Sequence, residues 1–465
     1  MPYNSKLLFL NINLKTQRGQ ALLALLVLLT IGAGAAFYTL VRPANSAIEK
    51  DKITAAALAQ AKEALISYAV SDNNRPGSLP CPDLITNMPG NTPNDGTTDL
   101  YAGNECPGFI AGSNVYLGRL PWRTLGLPDL RDGSGERLWY AVSRDFARNP
   151  TCMTPSVPGC PLNSDTLGQL TVTGVAPVSN VVAIVFAPGT ALGNQTRDAA
   201  GANTASNYLE GENVNGNNSI FTAQENSSTF NDELLAITNR DLMPAVEQRV
   251  AREMISLLNQ YRAATATSPL YPGGIYPWAD LDNGLSNGTA GAAYNRNRFP
   301  CSTIVGPPSG ALPVNWNTLV PSSTPPTSTP ALPNWLTNGC WATGWTSLIY
   351  YAVARNRLET GGAICTTCSA TSLSVTNPSS RVGTVCTTSS PPVCTMQVIT
   401  PGNADLVLIT PGAATASRAS GWPTAFSTIT LYFEDTENSD NNNSNDNYTV
   451  PASTNYDRDR IYVVR

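Results

Sequence analysis

An internal duplication constrains the fold of this 465-residue chain more than any other feature of its sequence. Five segments of the first half recur in the second half in the same order, which generic strand and turn patterns would not preserve. The helix segment that opens with AKE at 61–63 matches the one that opens with ARE at 251–253. The sequence YAV at 140–142 matches YAV at 351–353, and the apolar runs VVAIVF and LVLIT both end at a Pro-Gly pair. Further on, NYLEGENV matches LYFEDTEN, and NDELLAIT loosely matches DRDRIYVVR. The sequence therefore predicts two copies of one domain.

Each copy combines a helix pattern with short strands that are rich in β-branched and aromatic residues and bounded by Gly, Pro and Asn. The predicted strands are WYAVS, VVAIVF and LLAIT in the first copy, and IYYAVA, LVLIT and IYVV in the second. The second copy's helix is predicted at 241–264, where apolar residues recur at helical spacing. The expected fold class is α+β, with a helix packed on a small antiparallel sheet in each of two tandem heads.

An uncharged run at 21–41 precedes the first copy. At about 1.5 Å per residue it spans roughly 30 Å, the thickness of a hydrocarbon core. Lys15 and Arg18 precede the run, so the positive-inside rule places the bulk of the chain outside the cytoplasm. Signal-peptide cleavage after the small residues at 33–35 is the competing interpretation, but apolar character continues beyond them.

A second helix pattern at 45–70 follows the run directly. Its apolar stripe consists of Ile48, Leu58, Leu65 and Tyr68. Pro43 lies at the junction and is expected to kink the helix without dividing it, because strong helix formers flank it. The sequence thus predicts one long N-terminal helix with a membrane-embedded first half and an amphipathic stem. An anchor followed by an unrelated short helix is the alternative.

The junction at Gly19 resembles the processing site of the type IV pilin and pseudopilin superfamily. A short basic leader ends in Gly19, an apolar run begins directly after it, and a helix pattern continues into the globular part. The resemblance implies that prepilin peptidase cuts between Gly19 and Gln20, and that the apolar run serves as anchor and filament core. The chain departs from the family at Gln20, where Phe or Met is usual, and at Ala24, where most members have Glu.

This resemblance implies a leader at 1–19, a transmembrane and stem helix at 20–70, and pilin-like heads at 71–240 and 241–465. It implies a non-enzymatic minor pilin or pseudopilin-like subunit of a type IV pilus or type II secretion pseudopilus. The expected partners are other pilin or pseudopilin subunits, the prepilin peptidase and the bacterial inner membrane. The chain would cross that membrane once, with its bulk periplasmic, or extracellular in a filament.

The position of the chain in such a filament is a further expectation. Ala24 in place of Glu and the doubled head favour the filament tip. The alternative is a membrane-anchored periplasmic or surface binding protein, such as an adhesin, that is not built into a filament.

The composition excludes several classes of function. The chain has no histidine, so a nucleophile activated by His cannot occur. No lysine follows Lys62, which removes a P-loop or a Ser-Lys dyad from the main body. The net charge of -5 gives no electrostatic footprint for nucleic acid. We predict no enzymatic activity; a paired-carboxylate hydrolase stays open, although no spacing singles out a pair.

Ten cysteines follow the apolar run, and in an oxidising compartment they should pair. We predict three local bridges: Cys81–Cys106, Cys152–Cys160 and Cys301–Cys340. The last four, which can form two nested or two adjacent bridges, are Cys365, Cys368, Cys386 and Cys394. A four-thiolate zinc site made by the same four is the alternative, but the gap between its last two cysteines is long for such a site.

No cofactor is expected, although two loops that are rich in Asn and acidic residues are weak candidates for binding Ca²⁺. The first contains Glu210, Glu212, Asn213 and Asn217. The second contains Glu434, Asp435, Glu437 and Asp440. A solvated turn is the favoured interpretation of both loops.

Overall fold

The fold is known from a computed structural model that describes most of the two copies. The described residues are 47–83, 92–108, 110–147, 162–193, 195–197, 204–266, 273–277, 296–298, 345, 349–360, 363–364, 373–410, 412–413, 438, 447–450 and 459–465.

Strands dominate these residues. The helices are α1 (47–71), α2 (Arg144–Ala147) and α3 (Asn239–Thr265). The strands of the first half are β1 (Val115–Arg119), β2 (Trp139–Ser143), β3 (Leu170–Gly174), β4 (Val178–Ala187), β5 (Ile220–Ala223) and β6 (Glu233–Thr238). Those of the second half are β7 (Arg296–Arg298), β8 (Tyr350–Val353), β9 (Glu359–Thr360), β10 (Ala363–Ile364), β11 (Leu373–Thr376), β12 (Val382–Cys386), β13 (Cys394–Val398), β14 (Gly402–Ala404), β15 (Leu406–Thr410), β16 (Asn447–Thr449) and β17 (Arg460–Val464).

The first sheet is organised around β4. This strand is ten residues long, so it pairs with β3 through its N-terminal part and with β2 through its C-terminal part, while β6 takes its other edge. The run VVAIVFA within β4 is buried throughout, as expected for a strand that is covered on both faces. β1 pairs with β2 in antiparallel fashion, whereas β5 runs parallel to β3.

The second sheet has the strand order β13-β12-β17-β15-β8-β7. Its pairs are antiparallel except for β12 and β17. A smaller sheet, β14-β11-β16, lies beside it and contains a second parallel pair, β11 with β16. β9 and β10 form a separate two-stranded hairpin.

The two halves repeat the same strand order, direction and register. β1-β2-β4-β6 in the first sheet corresponds to β7-β8-β15-β17 in the second. The central alanine of the YAV sequence illustrates the register, since Ala141 lies opposite Ile184 and Ala352 lies opposite Val407. The parallel pair β3 and β5 likewise corresponds to β11 and β16. The domain bounds 71–240 and 241–465 stay predictions.

A buried tyrosine fixes the segment that follows the helix in each half. The Tyr140 hydroxyl donates to Pro80 O (3.3 Å), and the Tyr351 hydroxyl donates to Pro277 O (2.7 Å). Both side chains are fully buried, and burial raises the pKa of both phenols well above the ordinary value. They therefore remain neutral hydrogen-bond donors, and the same contact links strand and turn twice.

One hydrophobic core joins the two halves across α3. It contains Tyr140 and Val185 from the first sheet together with Tyr351 and Leu408 from the second. α3 is buried on most of its sides, with apolar contacts that extend from Leu242 to Tyr261. A helix in this position must supply partners for every polar group that it buries.

Glu247 of α3 is the main polar group in this shared core, where it is 2% exposed. Its carboxylate accepts a hydrogen bond from Ser164 Oγ in the first half and pairs with Arg460 of β17 in the second. A buried carboxylate is costly without such partners. The ion pair therefore holds α3 and both halves in one arrangement.

α1 and α3 lie side by side and run in the same direction. Lys62 Nζ is 2.9 Å from Asp241 Oδ1. Further along, Arg249 donates to Val70 O and Asp72 O, both at 2.6 Å. These contacts fix the end of α1 against the first turns of α3.

The expected fold class is wrong. The described residues are mostly strand, and their sheets are mixed, whereas we expected a helix on a small antiparallel sheet in each head. The half-polar strands β3, β5, β11 and β16 caused the error, because short runs such as LTVTG and IFTA carry a weak apolar signal. The long N-terminal stem helix is also wrong, because no helix in the described residues is long and apolar enough to span a membrane. Ile48, in the described part of α1, is 52% exposed.

The expected single-pass location in the inner membrane is contradicted as well. Across the described ranges, no helix is both long enough and apolar enough to cross a bilayer. α3 has the length, but it carries charged residues such as Asp241, Glu247 and Arg249. The run 21–41 and Pro43 lie outside the described residues.

The Glu247 ion pair gives a stability prediction. Glu247→Ala should lower the free energy of unfolding by about 3 kcal/mol, because it leaves Arg460 without its carboxylate in the shared core. Glu253 is the matched control, since its side chain is 30% exposed and pairs with Arg249 at 2.9 Å. Glu253→Ala should cost less than about 1 kcal/mol. Urea denaturation followed by circular dichroism measures both, and equal losses would contradict the role of Glu247.

Candidate functional site

A buried polar cluster lies at the end of the first sheet where β6 begins. It consists of Glu210, Asn213 and Asp232, which we call the Glu210 cluster. These residues are 8%, 0% and 2% exposed, respectively. Glu210 and Asn213 belong to a 3₁₀ turn and its N-cap, and Asp232 directly precedes β6. The cluster thus connects a loop to the start of β6, an edge strand of the first sheet.

Hydrogen bonds fix both carboxyl groups of the cluster. Asp232 Oδ2 accepts from the Glu210 backbone N–H and from Asn213 Nδ2, both at 2.9 Å. Glu210 Oε2 accepts from the Asn231 backbone N–H (3.0 Å), and Glu210 Oε1 accepts from Gln195 Nε2 (2.7 Å). In the described part of the chain, no donor reaches Asp232 Oδ1.

Asp232 is protonated at neutral pH. Burial raises the pKa of its carboxyl group to about 8, and the nearby charge of Glu210 acts in the same direction against the hydrogen bonds. Its Oδ1 can therefore carry a proton, which explains why that oxygen has no donor. Burial and the nearby charge of Glu210 therefore both oppose ionisation of Asp232.

Asn213 closes the outer edge of β5. Its Nδ2 donates to Thr222 O (3.1 Å), and its Oδ1 accepts from Thr222 N–H (2.8 Å). Asn438 makes the same two bonds with Thr449 of β16, at 3.0 and 2.9 Å. Both asparagines therefore replace a neighbouring strand, and the amide oxygen of each is already used.

The aspartate of the cluster also has a counterpart in the second half. Asp459 directly precedes β17 as Asp232 directly precedes β6, and it is 3% exposed. Glu434, which the sequence match aligns with Glu210, lies outside the described residues. The edge-closing asparagine and the buried aspartate before a strand are thus each present in both halves.

Arginine and aromatic groups hold the loop that carries Glu210. Tyr208 lies between two guanidinium groups, with Arg119 at 3.9 Å and Arg197 at 5.0 Å from its ring centroid. Arg197 also pairs with Glu136 at 3.3 Å. Arg119 is buried, and this burial lowers its pKa to about 10. These cation–π contacts fix the loop against the sheet.

The chemistry open to the Glu210 cluster is narrow. Within the described ranges, no group of three or more acidic, cysteine or histidine side chains is placed to hold a metal ion. A glycosidase pair must reach a substrate and water, but Glu210 and Asp232 are both buried. The arrangement instead fits a hydrogen-bonded polar cluster that fixes the start of β6.

The calcium candidates of the first loop differ in their exposure to solvent. Glu212 and Asn217 of the first loop are exposed, but Glu210 and Asn213 are buried, so the solvated-turn interpretation is wrong for those two. The candidates of the second loop lie outside the described residues, and so do the proposed processing and stem positions. These are Glu434, Asp435, Glu437, Asp440, Gly19, Gln20, Ala24 and Pro43.

Two disulfide bonds lie within the described residues. Cys81 is bonded to Cys106 (1.97 Å between sulfurs) and Cys386 to Cys394 (2.07 Å). The Cys386–Cys394 bond excludes the nested pairing of the last four cysteines. It also excludes a zinc site formed by the thiolates of all four. The remaining cysteines lie outside the described residues: Cys152, Cys160, Cys301, Cys340, Cys365 and Cys368.

Sequence reasoning missed Asp232 and Arg119. A signal for Asp232 was present, because an aspartate precedes the last strand of each matched segment, NDELLAIT and DRDRIYVVR. Arg119 gives no comparable signal, since its role depends on Tyr208, far away in the sequence.

Searches of protein-family models, curated proteins and solved structures give no match to this chain.

The raised pKa of Asp232 predicts how stability varies with pH. A free aspartate titrates near pH 4, and Asp232 titrates at about 8 in the folded protein. Between these values the folded state binds more protons, so this group lowers the free energy of unfolding as the pH rises, by up to about 1 kcal/mol per unit. Asp232→Asn should remove that loss. The free energy of unfolding of the variant should therefore rise relative to that of the wild type from pH 5 to pH 8.

Urea denaturation at several pH values measures this difference. Glu225→Gln is the control, because Glu225 is an exposed carboxylate in the segment before β6, and this variant should follow the wild type. A constant difference between Asp232→Asn and the wild type across this range would show that Asp232 is ionised at neutral pH.

The two edge asparagines give a paired prediction. Asn213→Ala and Asn438→Ala should each lower the free energy of unfolding by about 2 kcal/mol, because each leaves a threonine N–H and C=O without partners. Asn217→Ala changes an exposed side chain and should be nearly neutral. Thermal and urea unfolding measure all three, and two near-neutral results at Asn213 and Asn438 would refute the edge-closing role.

Proposed function

We propose that this protein is a non-enzymatic minor subunit of a type IV pilus or a type II secretion pseudopilus. One observation carries the proposal: the sequence junction at which a basic leader ends in Gly19 and an uncharged run follows. Prepilin peptidase cleaves between Gly19 and Gln20. The mature chain then contacts other pilin or pseudopilin subunits.

Three further features support an assembly role. The absence of histidine removes the commonest acid–base group of enzymes, and the buried Glu210 cluster suits a structural purpose. The two halves share one core across α3, so they form a single large unit. Contacts of this unit with neighbouring subunits then lie on its outer surface. Ala24, in place of the usual Glu, supports a position at the filament tip.

The position of the mature N-terminus tests the proposal. Mass spectrometry of the protein from the organism that encodes it should give Gln20 as the first residue. Gly19→Val should block that cut and retain the leader, whereas Ala35→Val, which alters the competing signal-peptidase site, should not change the product. The wild type should also co-purify with sheared filaments, and Gly19→Val should not.

Three results would count against this function. A mature chain that begins at residue 36 indicates a signal peptide. An uncut chain, or one cut at Gln20 but absent from filaments, favours the binding protein that is not built into a filament.

A further inference from the structure

The chain closes four of its sheet edges with its own groups. The Asp83 backbone exchanges two 3.0 Å hydrogen bonds with Arg119 at the edge of β1. Asn213 and Asn438 close β5 and β16, as described above. At β6, Lys62 Nζ lies 3.4 Å from the carbonyl oxygen of Ala236. Such devices prevent an edge strand from pairing with another chain.

Among the described residues, no such device covers the outer edge of β13. In the described part of the second sheet, no strand lies beyond it. Thr387 N–H donates to Val393 O at 3.0 Å just outside the β12–β13 pair. In an antiparallel pair every second residue of a strand bonds to the neighbouring strand. Counting from Val393, Thr395 and Gln397 therefore bond to β12. The N–H and C=O of Met396 therefore point away from the hairpin.

The same edge exposes apolar side chains. Met396 is 67% exposed, Val398 is 51% exposed, and Val382, directly opposite Val398, is 40% exposed. Because side chains alternate along a strand, Met396 and Val398 lie on the same face as Cys394, which packs against the core. The sequence of β13, CTMQV, contains neither a charge nor a proline that would oppose strand pairing.

The hairpin is anchored to the rest of the protein. Cys386 and Cys394 bond its two strands to each other. Asn259 of α3, which is 1% exposed, donates from Nδ2 to Thr387 O and Ser389 O, both at 2.9 Å. A strand that is already ordered loses little conformational entropy when it pairs.

We propose that β13 is a self-association edge, to which a second copy of this chain adds its own β13 in antiparallel orientation. A twofold axis through Met396 brings the outward N–H and C=O of Met396 together with those of the second copy. It also places Cys394 opposite Val398 of the second copy. Because β13 has no charged residue, no like charges meet, and the same strand is complementary to itself. The two six-stranded sheets then form one continuous sheet.

The dimer is weak. One short strand and a few apolar side chains bury less than the about 800 Å² per partner of a standard interface. The dissociation constant is on the order of 10 to 100 μM. This inference does not depend on the proposed function, because it uses contacts of α3 and residues 382–398 alone.

Sedimentation equilibrium of the full-length chain tests the proposal. All samples contain the same detergent, because the run 21–41 is uncharged, and the concentrations extend from low micromolar to submillimolar. The wild type should pass from monomer to dimer. Met396→Lys places two ammonium groups at the axis and should raise the dissociation constant at least about tenfold. Met396→Pro removes the outward N–H without removing a bond to β12, and should have the same effect.

Val175→Lys is the matched control. Val175 is also 67% exposed, but it lies in the turn between β3 and β4, so this variant should dimerise like the wild type. Circular dichroism and mapping of the Cys386–Cys394 bond verify that each variant is folded. A wild type that stays monomeric throughout overturns the proposal. So does dimerisation that neither Met396 variant weakens, or that Val175→Lys weakens equally.

Discussion

The burial of α3 is the constraint on which the rest of the structure depends. β6 passes directly into α3 at Thr238, whose backbone N–H donates to Asp241 Oδ2 at 2.8 Å in a capping box. The last strand of the first half and the central helix of the second half are therefore one continuous segment. Because α3 contacts both sheets, its buried polar groups need partners from both halves: Glu247 finds Ser164 and Arg460. The shared core follows from this continuity, since neither sheet could cover α3 alone.

The two halves repeat a common framework and differ mainly at one edge. In the second half β12 pairs with β17, whereas in the first half the corresponding edge of β6 has Lys62 of α1 at one carbonyl group. The added hairpin moves the sheet edge outward to β13, away from the residues that close the other edges. Among the described residues, this edge is specific to the second half.

The sequence contained much of the framework and little of the candidate site. Strong apolar runs located six strands, and the predicted helix at 241–264 is close to α3 at Asn239–Thr265. Strands with alternating polar residues, such as LTVTG, were missed, and with them the parallel pairs that make the sheets mixed. Burial of Asn213 and Asp232 could not be predicted either, because their environment depends on residues distant in the sequence. Ile48 was predicted to lie in the apolar stripe of α1, but it is exposed. Periodicity does not show where a helix extends beyond the sheet that it packs against.

Polar residues, more than apolar ones, determine where these sheets end. Asn213 Nδ2 donates to Thr222 O and also to Asp232 Oδ2, so one amide group closes β5 and orients the carboxyl group of Asp232. Ionisation of Asp232 would strengthen the hydrogen bond that it accepts from Asn213, because the accepting oxygen would then carry negative charge. It would also leave a further buried charge beside Glu210, which is costly. Keeping Asp232 protonated avoids that cost while the hydrogen bond from Asn213 persists. An apolar residue at position 213 could fill the space, but it could not give the backbone of Thr222 its two partners.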